Sequence, residues 1–201
     1  MTEAHLFSIG LALAALSGVR VYLTVFGVGL AGLLGWVDLP QALQVTSSWW
    51  VLGTAGTLAL VEFFADKIPG VDSGWDLAHT LLRVPVGAFL AAATLSGDGG
   101  QLGMAALASG AGASLLTHAL KSGSRALINT SPEPVSNWTA SLGEDAVALG
   151  GLALAFAHPL IALTLVLGFG IGLFILMAWA ANKLFGKLRG KRHNPEIRGS
   201  R

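Results

Sequence analysis

The sequence is cut into apolar stretches, each long enough to cross a bilayer, and this limits the chain to very few folds. A membrane-spanning helix needs about 20 apolar residues. Five stretches of that kind run over residues 49–67, 75–96, 101–120 (with a continuation towards 129), 138–157 and 159–185. The first in chain order, residues 5–36, is too long for a simple span, and Ser17-Gly18 and Arg20 interrupt it near its middle. It reads either as one tilted, broken helix or as two short ones. The expectation is an all-α fold, a polytopic transmembrane helix bundle of about six spans with the first span broken. The composition leaves little alternative. Charged residues make up only 11% of the chain and 53% are hydrophobic, with a mean hydropathy of +0.68. Soluble domains carry about 25% charged residues, enough to coat a surface.

The few charges are unevenly spread. Seven of the twelve Lys and Arg fall at the end of the chain, at Lys183, Lys187, Arg189, Lys191, Arg192, Arg198 and Arg201. A basic tail behind an apolar helix is what the positive-inside rule expects of a cytoplasmic end, so it reads as a topology signal and not as a nucleic-acid site. This divides the chain into a transmembrane domain, 1–186, and a basic cytoplasmic tail, 187–201. Counting back from the tail, the loops 67–74 and 121–137 fall on the same inner side. The opposite loops, with Asp38, Asp98 and the 157–159 turn, carry no Lys or Arg. The N-terminus is inside if residues 5–36 cross once and outside if they cross twice. It has no basic leader before His5, so residue 1 reads as the mature start. Trp36, Trp49, Trp50, Trp75 and Trp138 sit at stretch ends, as interfacial anchors do. With no cysteine, disulfides and thiol chemistry are excluded.

Three rows of small residues have helix-packing spacing: Gly27, Ala31 and Gly35; Ala106, Gly110 and Ser114; and Gly168 and Gly172. Close backbone approach drives helix association in lipid, within one chain or in a homo-oligomer. Two short matches hint at internal duplication. Ser17-Gly18-Val19-Arg20 pairs with Ser122-Gly123-Ser124-Arg125, which suits an inverted repeat. Residues 69–75 and 132–138 both read P-x3-S-x-W, which suits a parallel one.

The candidate site residues are the ionisable and polar groups near membrane depth: Arg20, Glu62, Asp66, Asp76, His79, Arg83, His118, Arg125, Asn129, Glu144 and Asp145. A charge at the bilayer centre costs roughly 2.5–3.5 kcal/mol even on the lenient insertion scale, so these groups must face the bundle interior and find partners. Glu62 and Asp66 are one helical turn apart. Asp76, His79 and Arg83 fall on one stripe, and Ser114 and His118 on another. All but Arg20 gather in the inner half, which suggests an inner polar vestibule. The loops between them are rich in Pro, Gly, Asp, Ser and Asn, which end helices and free backbone groups. Asp72 or Ser73 can cap one helix, and Ser136 or Asn137 another. A purely structural reading makes the same charges a buried salt-bridge network, with Arg83 paired to Glu62 or Asp66 and Arg125 to Glu144 or Asp145. Asp76-x-x-His79 offers two metal ligands where a site wants three or four, and no phosphate loop, nucleophile arrangement or cofactor motif is present. Asn137-Trp138-Thr139 fits the glycosylation pattern but falls on the inner side.

Residues 62–76, EFFADKIPGVDSGWD, with His79 and Arg83 after them, resemble the signature of the bacterial membrane family called domain of unknown function 4126. So does the run from His118 to Asp145, with K-x3-R-x3-N-T-S-P-E-P-x-S-N and then S-L-x-E-D, as does Ser17-Gly18-Val19-Arg20 with Leu23-Thr24. The resemblance covers nearly the whole chain apart from the tail. The chain has Arg83-Val84-Pro85 where the family has Arg-Pro, which leaves the position of a helix kink open. The resemblance implies a polytopic membrane protein and supplies no activity.

The functional expectation is a small transporter or channel for an ion, a cation or proton before others, or for a small polar solute, in the bacterial inner membrane. Glu62 and Asp66 would bind or relay the ion, Asp76, His79 and Glu144 would complete the site, and Arg83 and Arg125 would supply counter-charge. His79 would make transport depend on pH. The alternatives are binding or translocation of a phosphate-bearing lipid carrier by Arg20, Arg83 and Arg125, and a non-transporting scaffold. An enzyme is not expected, nor a cofactor or nucleic acid; membrane lipids are the expected partners.

Overall fold

The computed structural model describes residues 2–68, 70–96, 102–130 and 134–192, and among these there is no strand. Seven α-helices follow in order: α1 Glu3–Val19, α2 Val21–Leu33, α3 Trp49–Ala65, α4 Val71–Leu95, α5 Met104–Ile128, α6 Pro134–Ala157 and α7 Pro159–Arg192, with a 3-10 helix, Gln41–Ser47, ahead of α3. Three helical stretches are long and apolar enough to cross a membrane: Gly74–Leu95, Val135–Ala157 and Pro159–Trp179. The 3-10 helix and α3, bent by 62° at Ser48, make a fourth if taken as one span. Among the described residues the expected six spans are therefore not confirmed. Helices α1 and α2 are too short, and α5 is full length but less apolar, with Gly, Ala, Ser and charged residues where it packs on α1 and α4.

Helix α1 is the centre of the molecule. Thr2 caps it, accepting the His5 N–H, and residues 8–10 and 12–18 are all buried. Its small residues let α4 and α5 close on it. Gly10 faces Ala91 and Thr94 of α4, while Gly18 touches Ser114 and Thr117 of α5 so closely that a Cβ could not fit. Ile9, Leu13 and Leu16 join Val28, Leu90 and Leu152 in the apolar core. Helices α4 and α5 are antiparallel to each other, with Gly110 on Ala91 and His118 on Thr80. Pro85 sits inside α4 without ending it.

The first segment is two short helices. It is a hairpin that enters from one end and turns back at Arg20, whose backbone leaves the helical region (φ −141°, ψ 82°). Helix α6 serves as the ruler. Ser141 holds the Arg20 side chain, and about 15 Å further along α6 Gly151 packs on Leu16 of α1 and Leu152 on Gly27 of α2. Both arms therefore run away from Arg20 in the same direction. The tip stops at the level of Ser114 and Gly87, near the middle of α5 and α4. Both hairpin ends lie at the end of the bundle where α4 finishes, α5 begins and α6 turns into α7. The opposite end carries the α3–α4 and α5–α6 connections. Non-helical backbone at such depth is tolerated only inside protein. Here the Gly18 and Val19 carbonyls freed by the break accept from Arg83 Nη1 (3.1 and 3.4 Å) and Lys121 Nζ (3.2 Å, to Val19).

Other expectations resolve locally. Helix α4 starts at Val71, before Ser73, with Gly70 (φ 85°) as the preceding residue and Asp72 Oδ1 accepting the Gly70 N–H at 2.9 Å. Ser136 and Asn137 lie inside α6, so neither caps it. The small-residue rows divide. Gly27 packs on Leu152 and Gly110 on α4, whereas Gly168 and Gly172 meet nothing within 4 Å. Trp36, Trp49, Trp50 and Trp138 are exposed, as anchors must be. Between Leu160 and Trp179 most of the large apolar side chains of α7 are exposed, and the helix continues past residue 186 to Arg192, so the boundary drawn there falls within a helix. Residues 193–201 of the basic tail, Asp98, Pro69, Pro132 and Glu133 lie outside the described residues.

Candidate functional site

The charges expected at membrane depth meet in one buried layer around the hairpin tip. Arg83, the midpoint of α4, is fully buried. Its Nη2 lies 2.8 Å from Glu62 Oε1 of α3 and 2.8 Å from Asp76 Oδ1, two turns back along its own helix. Its Nη1 donates to the Gly18 carbonyl and to His118 Nδ1 (3.2 Å). An arginine that donates to Nδ1 fixes the imidazole proton on Nε2. That N–H reaches Thr80 Oγ1 at 2.7 Å, and the Thr80 hydroxyl donates to the Asp76 carbonyl.

Arg20 reaches the same layer from the opposite end of the bundle, carried there by the hairpin. Its guanidinium lies 2.6 Å from Asp66 Oδ2, 2.9 Å from Asp145 Oδ1 and 3.6 Å from Glu144 Oε2, and it donates to the carbonyl and hydroxyl of Ser141 at 3.0 Å each. Lys121 bridges the two halves, 2.8 Å from Asp66, 3.2 Å from Asp76 and 3.5 Å from Glu144. Arg125, one turn on, grips Glu144 with two bonds of 2.8 and 2.9 Å in the fork geometry suited to a carboxylate. It also donates to the Asp66 carbonyl and to Asn137. Lys67 sits 3.0 Å above the Phe63 ring and 3.9 Å from Asp145 Oδ2. At the edge, Asp72 accepts two bonds from Asn129 Nδ2, and Asn137 Nδ2 donates to Asn129 Oδ1.

Arg20, Lys67, Arg83, Lys121 and Arg125 are the five Lys and Arg that precede Lys183, and all five are here. They pair with five carboxylates, Glu62, Asp66, Asp76, Glu144 and Asp145, and Asp72 sits at the edge on Asn129. Glu62 is 1% exposed, and its second oxygen, Oε2, has no hydrogen-bond partner among the described residues. The arginines are closed in by protein, so the layer is not the open inner vestibule expected from the sequence.

Of the residues singled out from the sequence, Arg20, Glu62, Asp66, Asp76, Arg83, His118, Arg125, Asn129, Glu144 and Asp145 all join this layer. His79 stands apart. Its ring stacks on Trp75 (4.1 Å, 24°), meets Tyr22 edge-on at 5.5 Å, and donates from Nδ1 to the Trp75 carbonyl at 2.7 Å. Among the expected pairs, Arg83–Glu62 and Arg125–Glu144 form, while Asp145 goes to Arg20. The sequence reading missed Lys67, Lys121 and Ser141 as members, and took Asp72 and Asn137 only as caps. The signal for Lys121 was its spacing, one turn before Arg125 on the same face. Among the described residues no group of three or more His, Asp or Glu is arranged to hold a metal.

Two apolar clefts end on the charged layer. One, of about 400 Å³, lies between α2, α3 and α6; Leu23, Phe26, Leu60 and Phe63 are among its walls, and Arg20, Glu62 and Asp145 are at its inner end. The other, of about 410 Å³, lies between α1, α5, α6 and α7 and reaches Lys121 and Glu144. Exposed Leu60 and Leu149 line the first, and Leu165 and Phe169 the second, so both open sideways on the lipid-facing surface.

No curated protein and no solved structure matches the chain. A family model described as "Domain of unknown function (DUF4126)" matches residues 7–181, which spans the hairpin, the charged layer and most of α7. The chain belongs to that family.

Proposed function

We propose that this protein is a small membrane transporter or channel for a monovalent cation or proton. The observation that carries the reading is Glu62: a carboxylate 1% exposed, with Oε1 on Arg83 and Oε2 without a hydrogen-bond partner among the described residues, in a charged layer around the tip of the hairpin. An isolated buried charge costs several kcal/mol, and a bound proton or cation removes that cost at this spot. Broken helices that meet near mid-bundle are also how many transporters build ion sites. Glu62, like Asp66 and Asp76, has an oxygen without a hydrogen-bond partner among the described residues, and of the three it has the fewest cations against it, so it takes the ion. Asp66, Asp76, Glu144 and Asp145 surround it, and Arg83 and Arg125 set its field. Binding of a phosphate-bearing lipid draws less support, because Arg20, Arg83 and Arg125 are each already engaged by carboxylates.

The proposed setting is the inner membrane of a bacterium, multi-pass, with the basic C-terminus on the cytoplasmic side as the positive-inside rule requires. The α3–α4 and α5–α6 connections would then be cytoplasmic and both ends of the hairpin outside. The work is transport and not catalysis, with no cofactor.

The test is flux in proteoliposomes, read with a pH dye and a voltage dye across a panel of monovalent cations, beside Glu62→Gln. Flux in the native protein that the variant lacks supports the reading. A folded, inserted protein that passes no ion under a gradient or a voltage overturns it.

A further inference from the structure

We infer that Lys67 carries a proton that is exchanged for the transported cation. As a monovalent cation enters the charged layer, the Lys67 ammonium gives up one proton to water, and it takes one back when the cation leaves. This rests on the proposed cation reading and names how that ion is coupled. Two features point to Lys67. The first is charge balance. The five cations of the layer pair with five carboxylates. A further positive charge buried among them has no carboxylate of its own, and an uncompensated buried charge is costly. Loss of a proton from one of the five restores the balance. Arginine keeps its proton in proteins, so the choice lies between Lys67 and Lys121.

The second feature is the way the two lysines are held. Lys121 lies against three carboxylates, at 2.8, 3.2 and 3.5 Å. Lys67 reaches Asp145 Oδ2 at 3.9 Å, and its shorter contacts are all neutral: the Phe63 carbonyl at 2.9 Å, the Ser141 hydroxyl at 3.3 Å and the Phe63 ring, whose centroid lies 3.0 Å away. The charges that act on it most strongly are Asp145 of α6, Arg20 at the hairpin tip, Asp66 beside it and Arg125 of α5, two of each sign. Its side chain is 4% exposed, and a buried lysine gives up its proton more readily than one in water. The neutral amine keeps its partners. It still donates to the Phe63 carbonyl, and the Ser141 hydroxyl, which accepts from Lys67 and Arg20, can turn its own hydrogen to the amine lone pair. Lys67 also lies two residues past the end of α3, in the α3–α4 connection, so its proton leaves at that end of the bundle.

The experiment uses the full chain in proteoliposomes under gradients of lithium, sodium or potassium. A radioactive tracer reports cation entry, a trapped dye the internal pH, and a second dye the voltage. The expected result in the native protein is one proton out for each cation in, with no voltage developing. In Lys67→Gln the cation should still enter, since it supplies the charge that the variant lacks, but proton counterflow is lost and a voltage develops. Lys67→Arg keeps the charge and the seat on Phe63 yet cannot release a proton, so cation entry should stop. Both variants are first checked for native elution and melting, and if one fails the other decides. Proton counterflow that survives Lys67→Gln, or native exchange in Lys67→Arg, overturns the inference, because the proton then comes from another group such as Glu62. Loss of cation entry in a folded Lys67→Gln overturns it too, since Lys67 is then only a fixed part of the path. Flux of a cation or of protons alone in the native protein overturns it and leaves the transport reading standing. No flux of either removes both.

Discussion

Arg20 and Asp66 form a 2.6 Å ion pair with neither side chain more than 1% exposed, although 46 residues separate them in the chain. The pair joins the tip of the hairpin to the C-terminal end of α3, and it exists only because the first segment turns back at Arg20. Removing one partner of a buried pair strands the other, which costs about 3–5 kcal/mol. Arg20→Ala is therefore expected to lower the unfolding free energy in detergent by about that much. Arg20→Ala with Asp66→Ala should lose less than the sum of the two single changes. A double-mutant cycle on unfolding midpoints measures it, and strict additivity would show that the pair does not couple.

The hairpin makes a clean topological prediction, since the chain has no cysteine to remove. Single cysteines at Thr2 and His158 should react with a membrane-impermeant maleimide from one side of the membrane, and one at Val71 from the other. Labelling of Thr2→Cys from the Val71 side would mean that residues 3–33 cross completely.

Close packing at Gly18 and open space at Gly168 predict opposite outcomes for the same change. A Cβ at Gly18 would overlap Thr117 Oγ1 and the Ser114 carbonyl, and the carbonyl cannot move away without shifting α5. Gly18→Ala should cost on the order of 1–3 kcal/mol. Gly168→Ala meets nothing within 4 Å and should stay within about 0.5 kcal/mol of native. Thermal unfolding of both variants in the same detergent gives the comparison.

Glu62→Gln keeps an oxygen for Arg83 and removes the charge of a carboxylate whose Oε2 has no hydrogen-bond partner among the described residues. Its melting midpoint should stay close to native while ion flux is lost. Glu62→Ala, which leaves Arg83 with Asp76 as its remaining carboxylate, should melt lower than Glu62→Gln. Loss of flux with an equal loss of stability in both would point to a structural network only.

His79 lies between Trp75 and Tyr22, outside the ion pairs. His79→Phe keeps the ring stack, so flux and its pH profile should be unchanged. A shifted profile in proteoliposomes would restore His79 to the ion path.

The candidate site was legible in the sequence because burial of charge is expensive wherever it occurs. A chain with 11% charged residues has to account for each one that falls within an apolar stretch, and ten of the eleven residues marked on that ground converge. What was not legible was the company they keep. Lys67 and Lys121 sit at stretch ends, where a lysine costs little, and read as loop residues. Only the packing of α3 and α5 carries them inward, to 5% and 4% exposure. His79 fits the Asp76–Arg83 stripe, yet its ring is drawn to Trp75 one turn earlier, because an aromatic stack satisfies it without a charge. Helix α5 shows the converse: its small and polar residues make it weakly apolar, although it is among the most closely packed helices, against α1 and α4.

The sequence by itself determined that lipid must be the solvent, that the chain must be helical, and that its interior must pair charge with charge. All three follow from composition and the length of apolar runs, since backbone and side-chain polar groups have no water to turn to at that depth. Tertiary structure alone decided that the first segment folds back as a hairpin with its tip near mid-bundle and that five cations and their carboxylates meet there in one layer. Both depend on contacts between residues far apart in the chain, such as Arg20 with Asp66 and Leu16 with Gly151, and no local pattern encodes a distance between helices.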